Sequence, residues 1–156
     1  MRLVLSIAVG ILSLVSAAAA EMPRAQPSTQ GTESHVERVD GIGGFFFRSK
    51  SPKVLAKWYA DHLGIMLTPT DYGQQPWQQA AGPTAFQPFP ADTKYFGRAD
   101  KMFMLNFRVK NLEAMVAQLR RASVDVEVDP QTYPNGRFAR THDPEGNPIE
   151  LWQPKE

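Results

Sequence analysis

The sequence predicts an α+β domain built from two similar βαβββ modules, and three observations lead to this prediction. First, the segment 47–51 (FRSKS) recurs sixty positions later as 107–111 (FRVKN), with Phe, Arg and Lys in the same places. Second, each copy is followed by apolar residues at helical spacing. Third, a strand candidate precedes each copy, and three short strand candidates follow each helix. The order of one strand, one helix and three strands therefore occurs twice.

The first module is expected over about residues 40–90 and begins with a strand at 43–48. Ser51 is a suitable helix N-cap, Pro52 suits the opening turn, and Gly64 is typical of a helix end. The apolar stripe of this helix consists of Leu55, Trp58, Tyr59 and Leu63. Turn residues separate the three strands that we expect after it, at 65–68, 77–80 and 84–89.

The second module is expected over about residues 100–154 and begins with a strand at 102–109. Asn111 is the expected N-cap of its helix. The apolar stripe of that helix consists of Leu112, Met115, Val116 and Leu119. The strands that follow are expected at 124–128, 137–142 and 148–152, and the tight turn DPEGN at 143–147 joins the last two.

The chain ahead of the domain has the pattern of an export signal. Residues 1–20 combine a positive start, an apolar run of about 13 residues and a small-residue cleavage site, which predicts a signal peptide cut after Ala20. The polar residues 21–35 are expected to form a disordered tether to a single domain over 36–154. We therefore expect a periplasmic or secreted protein without stable membrane insertion after cleavage; an uncleaved membrane anchor is the alternative.

Composition argues against a nucleic-acid partner. The 17 Lys and Arg are balanced by 16 Asp and Glu, and no basic stripe carries interleaved aromatic residues. The chain has no cysteine, so its stability cannot depend on a disulfide.

Two segments resemble a known family. The ending THDPEGNPIELWQP and the early segment FFFRSKSPKVLAKWYADHLGI are similar to the glyoxalase/bleomycin-resistance/dioxygenase group, the vicinal oxygen chelate superfamily. The resemblance covers about residues 40–154. It implies that the two βαβββ modules form an open, cup-shaped mixed sheet, and that the protein assembles as a homodimer.

The resemblance also implies where metal ligands would lie. The family positions fall on Gly44, Met104 and Glu150, of which only Glu150 is a suitable ligand for the divalent ions typical of the family. The three histidines, His35, His62 and His142, lie too far apart in the inferred fold to replace the missing ligands. We therefore predict no cofactor and disfavour a divalent metal.

Hairpin register suggests what takes the place of the ion. If the turn pairs Asp143 with Asn147, Arg140 lies directly across from Glu150, because both are three residues further out. We interpret the charge of Arg140 as a substitute for the metal, and Arg140 and Glu150 are the candidate catalytic pair. A structural ion pair without a ligand is the alternative.

Strand alternation extends the candidate site to a set of aromatic and polar residues that share the face of Glu150. The substrate-binding candidates are Phe46, Arg48, Trp77, Met104, Asn106, Phe138 and Trp152. Such a combination is typical of a small-molecule pocket, although plain core is the commoner role for a residue such as Phe46. The loops 92–98 and 133–137 could act as lids or be ordinary surface loops.

Three functional hypotheses follow from these residues. The favoured one is a metal-independent protein that binds a small aromatic or anionic molecule. The second is a lyase, isomerase or dioxygenase-like enzyme of the glyoxalase group, with Glu150 as general base. The third is a non-catalytic dimeric interaction module.

Overall fold

A computed structural model of the 156-residue chain describes residues 37–155. The predicted signal peptide at 1–20 and tether at 21–35 lie outside the described residues. The described residues fall into two units, 37–43 and 44–155. The described part of the first unit, 37–43, contains no helix or strand. No helix among residues 37–155 is long and apolar enough to cross a membrane.

All described helices and strands belong to the second unit. Helix α1 spans Pro52–Leu63 and helix α2 spans Leu112–Arg121. The strands are β1 (Leu105–Arg108), β2 (Glu127–Val128), β3 (Gly136–His142) and β4 (Pro148–Pro154). The prediction of an α+β fold with an open mixed sheet is confirmed, and the second βαβββ module is complete in the order β1–α2–β2–β3–β4.

The sheet has the strand order β1-β4-β3-β2. Strand β1 runs parallel to β4, whereas β3 is antiparallel to both β4 and β2. One face carries the core residues Ala139, Ile149 and Leu151, each with no more than 1% of its surface exposed. Helix α2 packs on this face, and the buried residues Leu55 and Tyr59 of α1 belong to the same core cluster. The other face, here called the open face, carries the side chains that alternate with these core residues.

Both predicted helices are confirmed, and they differ in how their first turns are capped. Gly64 adopts a left-handed conformation with φ 69° and ends α1 as predicted. Asn111 caps α2, because its side chain accepts a hydrogen bond from the amide of Ala114 at 2.8 Å. Ser51 occupies the N-cap position of α1, but its side chain makes no capping hydrogen bond. The start of α1 is instead bound by a distant residue, Glu145.

The first module differs from the prediction in its strands. Helix α1 is present, but the segments 43–48, 65–68, 77–80 and 84–89 form no strand among residues 37–104. A strand needs a neighbouring backbone, and prolines interrupt this region because they have no amide hydrogen to donate to a sheet. These prolines are Pro69, Pro76, Pro83 and Pro88. Several large apolar side chains here consequently stay exposed, including Phe46, Phe86 and Met102.

Candidate functional site

The open face of the sheet carries the side chains that alternate with the core residues. Glu150 of β4 lies directly opposite Arg140 of β3 and Asn106 of β1. Two residues further along β4, and on the same face, Trp152 lies between Phe138 and Arg108. Because paired residues on neighbouring strands share a face, one charged row and one aromatic row adjoin each other. These residues are the second-module part of the face that the sequence predicted as the cup.

Glu150 is the centre of the charged row. Its side chain is only 5% exposed, and within residues 37–155 its carboxylate accepts three side-chain hydrogen bonds. Tyr95 donates its phenol O–H to Oε1 at 2.8 Å, and Asn106 donates from Nδ2 to Oε2 at 2.7 Å. Arg140 donates from NH2 to Oε1 at 3.3 Å, which confirms the predicted pairing. The buried charge is therefore compensated by one cation and two neutral donors.

Tyr95 and Arg140 also contact each other. The guanidinium carbon of Arg140 lies 4.4 Å from the centre of the Tyr95 ring, a cation–π arrangement. Phe89 stacks on the same ring, with centroids 5.0 Å apart and an interplanar angle of 14°. Burial, followed by the hydrogen bond to Glu150, raises the pKa of the Tyr95 phenol. The phenol therefore stays protonated and acts as a donor at neutral pH.

The aromatic row offers a flat surface beside this cluster. The rings of Phe138 and Trp152 are nearly parallel, at 4° with centroids 6.2 Å apart. Trp152 is held in place by a hydrogen bond from its Nε1 to the carbonyl of Asn135 at 2.9 Å. At the end of the row, Arg108 binds the carbonyls of Ala80 and Ala81. An aromatic wall next to a few polar groups is the usual make-up of a small-molecule site.

The DPEGN turn, which carried the family resemblance, has a structural role. Asp143 is buried, and its carboxylate accepts four hydrogen bonds, from the amides of Glu145 and Asn147, from the side chain of Asn147, and from the phenol of Tyr59. The bond from Tyr59 is 2.9 Å long and fastens α1 to the turn across 84 residues of sequence. Burial, together with Asp143, raises the pKa of Tyr59, so this phenol also remains a donor.

Glu145 of the same turn binds the start of α1. Its carboxylate accepts hydrogen bonds from the hydroxyl of Ser49 at 2.7 Å and from the amides of Lys50 and Ser51. These bonds, that of Ser49 first, lower the pKa of Glu145. Lys101 donates to the carbonyl of Glu145 at 2.9 Å. The turn therefore joins the two modules instead of contributing to the open face.

The other predicted site residues lie outside this cluster of contacts. Phe46 is 94% exposed, and Trp77 is exposed in a segment that forms no strand. Arg48 lines a separate cavity of about 350 Å³ together with Lys50, Lys101 and Glu145. Met104 is half-buried just before β1, and none of the hydrogen bonds to Glu150 within residues 37–155 comes from the first module. Their place in a binding site stays a prediction.

Tyr95 is the residue of the cluster that the sequence did not identify. It lies in the loop 92–98, which was expected to be a lid or an ordinary surface loop. An aromatic residue in a long connection was the available signal, but no local periodicity fixes where such a loop folds. Among the described residues, no group of three or more His, Asp or Glu is arranged to hold a metal ion.

Similarity to known proteins identifies the family of this chain. A model of the glyoxalase-like domain matches residues 44–152. TnmS3, an antibiotic binding protein from Streptomyces sp. CB03234, is 23% identical with a TM-score of 0.52, over 77% of this chain and 100% of that chain. At this identity the likeness shows the shared fold alone.

A second solved structure is similar over a shorter stretch. A glyoxalase/bleomycin resistance protein from Streptomyces sp. CB03234 is 36% identical over 33% of this chain and 46% of that chain, with a TM-score of 0.30. The curated proteins gave no match. The family match spans both helices and the sheet up to Trp152 of β4. The chain therefore belongs to the glyoxalase-like domain family, within the vicinal oxygen chelate superfamily.

Proposed function

We propose that this protein binds a small aromatic molecule on the open face of its sheet, without a catalytic metal. The observation that carries the proposal is the buried Glu150 carboxylate, held by three hydrogen-bond donors, beside the stacked rings of Phe138 and Trp152. The half-exposed Arg140 is 42% accessible and offers a positive charge to an anionic group. The likeness to an antibiotic binding protein agrees with small-molecule binding.

The residues at the family's ligand positions do not fit a divalent ion. Gly44 has no side chain, and the thioether of Met104 is a poor ligand for hard or borderline cations. Both oxygens of Glu150 already accept hydrogen bonds, and a cation would have to displace the guanidinium of Arg140. The proposal therefore assigns the compensating charge to Arg140.

The donors around Glu150 also favour binding over general-base catalysis. A general base needs an oxygen that can take a proton from a substrate. Oε1 is occupied by Tyr95 and Arg140, and Oε2 by Asn106. The carboxylate therefore supports a binding role better than the alternative role of a base.

We also propose that the protein forms a homodimer. The exposed apolar side chains of the first module, and the edge of β1 that no strand within residues 37–155 pairs, fit a homodimer in which a second copy covers them. Light scattering of the purified domain, which measures its mass in solution, tests this directly.

A periplasmic or secreted location is proposed from residues 1–20 alone.

A binding experiment in the presence of EDTA tests the central function. The domain 36–156 is titrated with 2-naphthol and 2-naphthoate, and its melting temperature and tryptophan fluorescence are recorded. We expect both probes to raise the melting temperature, and at least one to quench fluorescence because its ring contacts Trp152. Failure of both probes to bind, or binding only after a divalent ion is added, would contradict the proposal.

Matched tryptophan variants locate the binding face. Trp152→Phe should lose most of the quenching, because the reporter on the open face is gone. Trp58→Phe should keep it, because Trp58 packs against the core cluster and contacts Tyr59. The opposite pattern would place the probe elsewhere in the domain.

A further inference from the structure

Tyr95 occupies the position that a ligand on Glu150 would need. Its phenol donates a hydrogen bond to Oε1 at 2.8 Å, its ring lies 4.4 Å from the guanidinium carbon of Arg140, and Phe89 stacks on the same ring. A hydroxyl on a carboxylate, a cation over the ring and an aromatic neighbour together form a complete recognition site for a phenol. The chain fills that site with one of its own side chains.

The loop that carries Tyr95 makes few other hydrogen bonds to the rest of the domain. In the part of the chain that the structure describes, the remaining hydrogen bonds of residues 90–98 stay within 90–100. Examples are the amide of Thr93 to the carbonyl of Pro90 and the amide of Gly97 to the carbonyl of Lys94, both 3.0 Å. Tyr95 itself is 40% exposed. Such a loop can release its side chain from Glu150 without breaking a strand or a helix.

We propose that the ligand is a neutral hydroxylated aromatic molecule that binds by displacing the Tyr95 side chain from Glu150 and Arg140. The inference rests on the proposed binding function and narrows its ligand class. The ligand's hydroxyl takes over the hydrogen bond to Glu150, and its ring takes over the contact with Arg140. No covalent step is involved, and Tyr95 acts as an internal competitor that lowers the apparent affinity.

The test compares 2-naphthol binding by the unaltered domain, Tyr95→Ala and Tyr72→Ala. Tyr72 is fully exposed, so its substitution is a matched tyrosine deletion outside the site. Removing the internal competitor should tighten 2-naphthol binding by about tenfold or more in Tyr95→Ala. Tyr72→Ala should bind like the unaltered domain. Equal or weaker binding by Tyr95→Ala would overturn the inference, because it would make Tyr95 part of the wall that contacts the ligand.

Two further probes check the chemistry of the exchange. 2-Methoxynaphthalene lacks the hydroxyl hydrogen and should bind Tyr95→Ala about tenfold more weakly than 2-naphthol, because one charge-assisted hydrogen bond is lost. p-Cresol, which is the tyrosine side chain as a free molecule, should raise the melting temperature of Tyr95→Ala but not that of Tyr72→Ala. Equal binding of the two naphthalenes, or no effect of p-cresol, would count against displacement.

The two proposals can fail separately. If no naphthalene probe binds the unaltered domain or any variant, the proposed function fails. If 2-naphthol binds the unaltered domain but gains nothing in Tyr95→Ala, only the displacement of Tyr95 fails. Should Tyr95→Ala not fold, Tyr95→Phe replaces it: without the phenol O–H the side chain is held less firmly, and a smaller gain in 2-naphthol affinity is expected.

Discussion

Replacing Asp143 by alanine is expected to lower the free energy of unfolding by about 3–5 kcal/mol. Asp143 is 4% exposed, and its carboxylate accepts four hydrogen bonds. Alanine would leave the amides of the turn and the phenol of Tyr59 without their acceptor in a buried place. Urea denaturation followed by circular dichroism measures the loss.

Two variants make this result specific to the turn. Tyr59→Phe removes a single donor and leaves the other three bonds of Asp143 intact, so we expect a loss of only about 1 kcal/mol. Asp61→Ala removes an exposed carboxylate that pairs with Lys57 on α1 and should change stability by less than about 1 kcal/mol. If Asp143→Ala were no worse than Asp61→Ala, the turn would not hold α1 to the sheet.

The substitution Arg140→Met is expected to destabilise the domain by about 2 kcal/mol. It leaves the buried charge of Glu150 with only the two neutral donors, Tyr95 and Asn106. The loss is smaller than the 3–5 kcal/mol of a fully buried broken pair, because Arg140 is 42% exposed. Chemical denaturation of the purified variant gives the value.

A double-mutant cycle shows whether the loss comes from the unpaired carboxylate. Glu150→Gln removes the charge, so adding it to Arg140→Met should recover a large part of the lost stability. Arg98→Met is the control, because Arg98 pairs with Asp100 at the surface and should cost less than about 1 kcal/mol. Purely additive effects of the two substitutions would mean that Arg140 and Glu150 are not coupled.

Local sequence rules predicted much of the second module because its contacts are set by short-range geometry. The turn at 143–147 fixed the hairpin register, and from that register the pairing of Arg140 with Glu150 followed and is confirmed. Strand alternation placed Asn106 on the same face, where it binds the same carboxylate. The helix ended by Gly64 is found where its sequence pattern placed it.

The same local rules could not predict contacts between residues far apart in the sequence. Proline and glycine marked the DPEGN segment as a turn, but they do not show that Glu145 binds amides 94 and 95 residues away. Tyr95 reaches Glu150 across 55 residues from a loop without periodicity. The strands of the first module were predicted from the repeat and from the turn residues that separate them, yet strand formation depends on a neighbouring backbone that these segments do not find within the described chain.

Elemental analysis of the purified domain, combined with melting curves before and after EDTA and with added Zn²⁺, Mn²⁺, Fe²⁺ or Ni²⁺, tests the central claim most directly. If Arg140 supplies the charge that compensates Glu150, the protein should contain no stoichiometric metal, and none of these treatments should shift its melting temperature. A metal bound at one ion per chain, lost to EDTA with a fall in melting temperature, would contradict the account and restore metal-dependent chemistry to the open face.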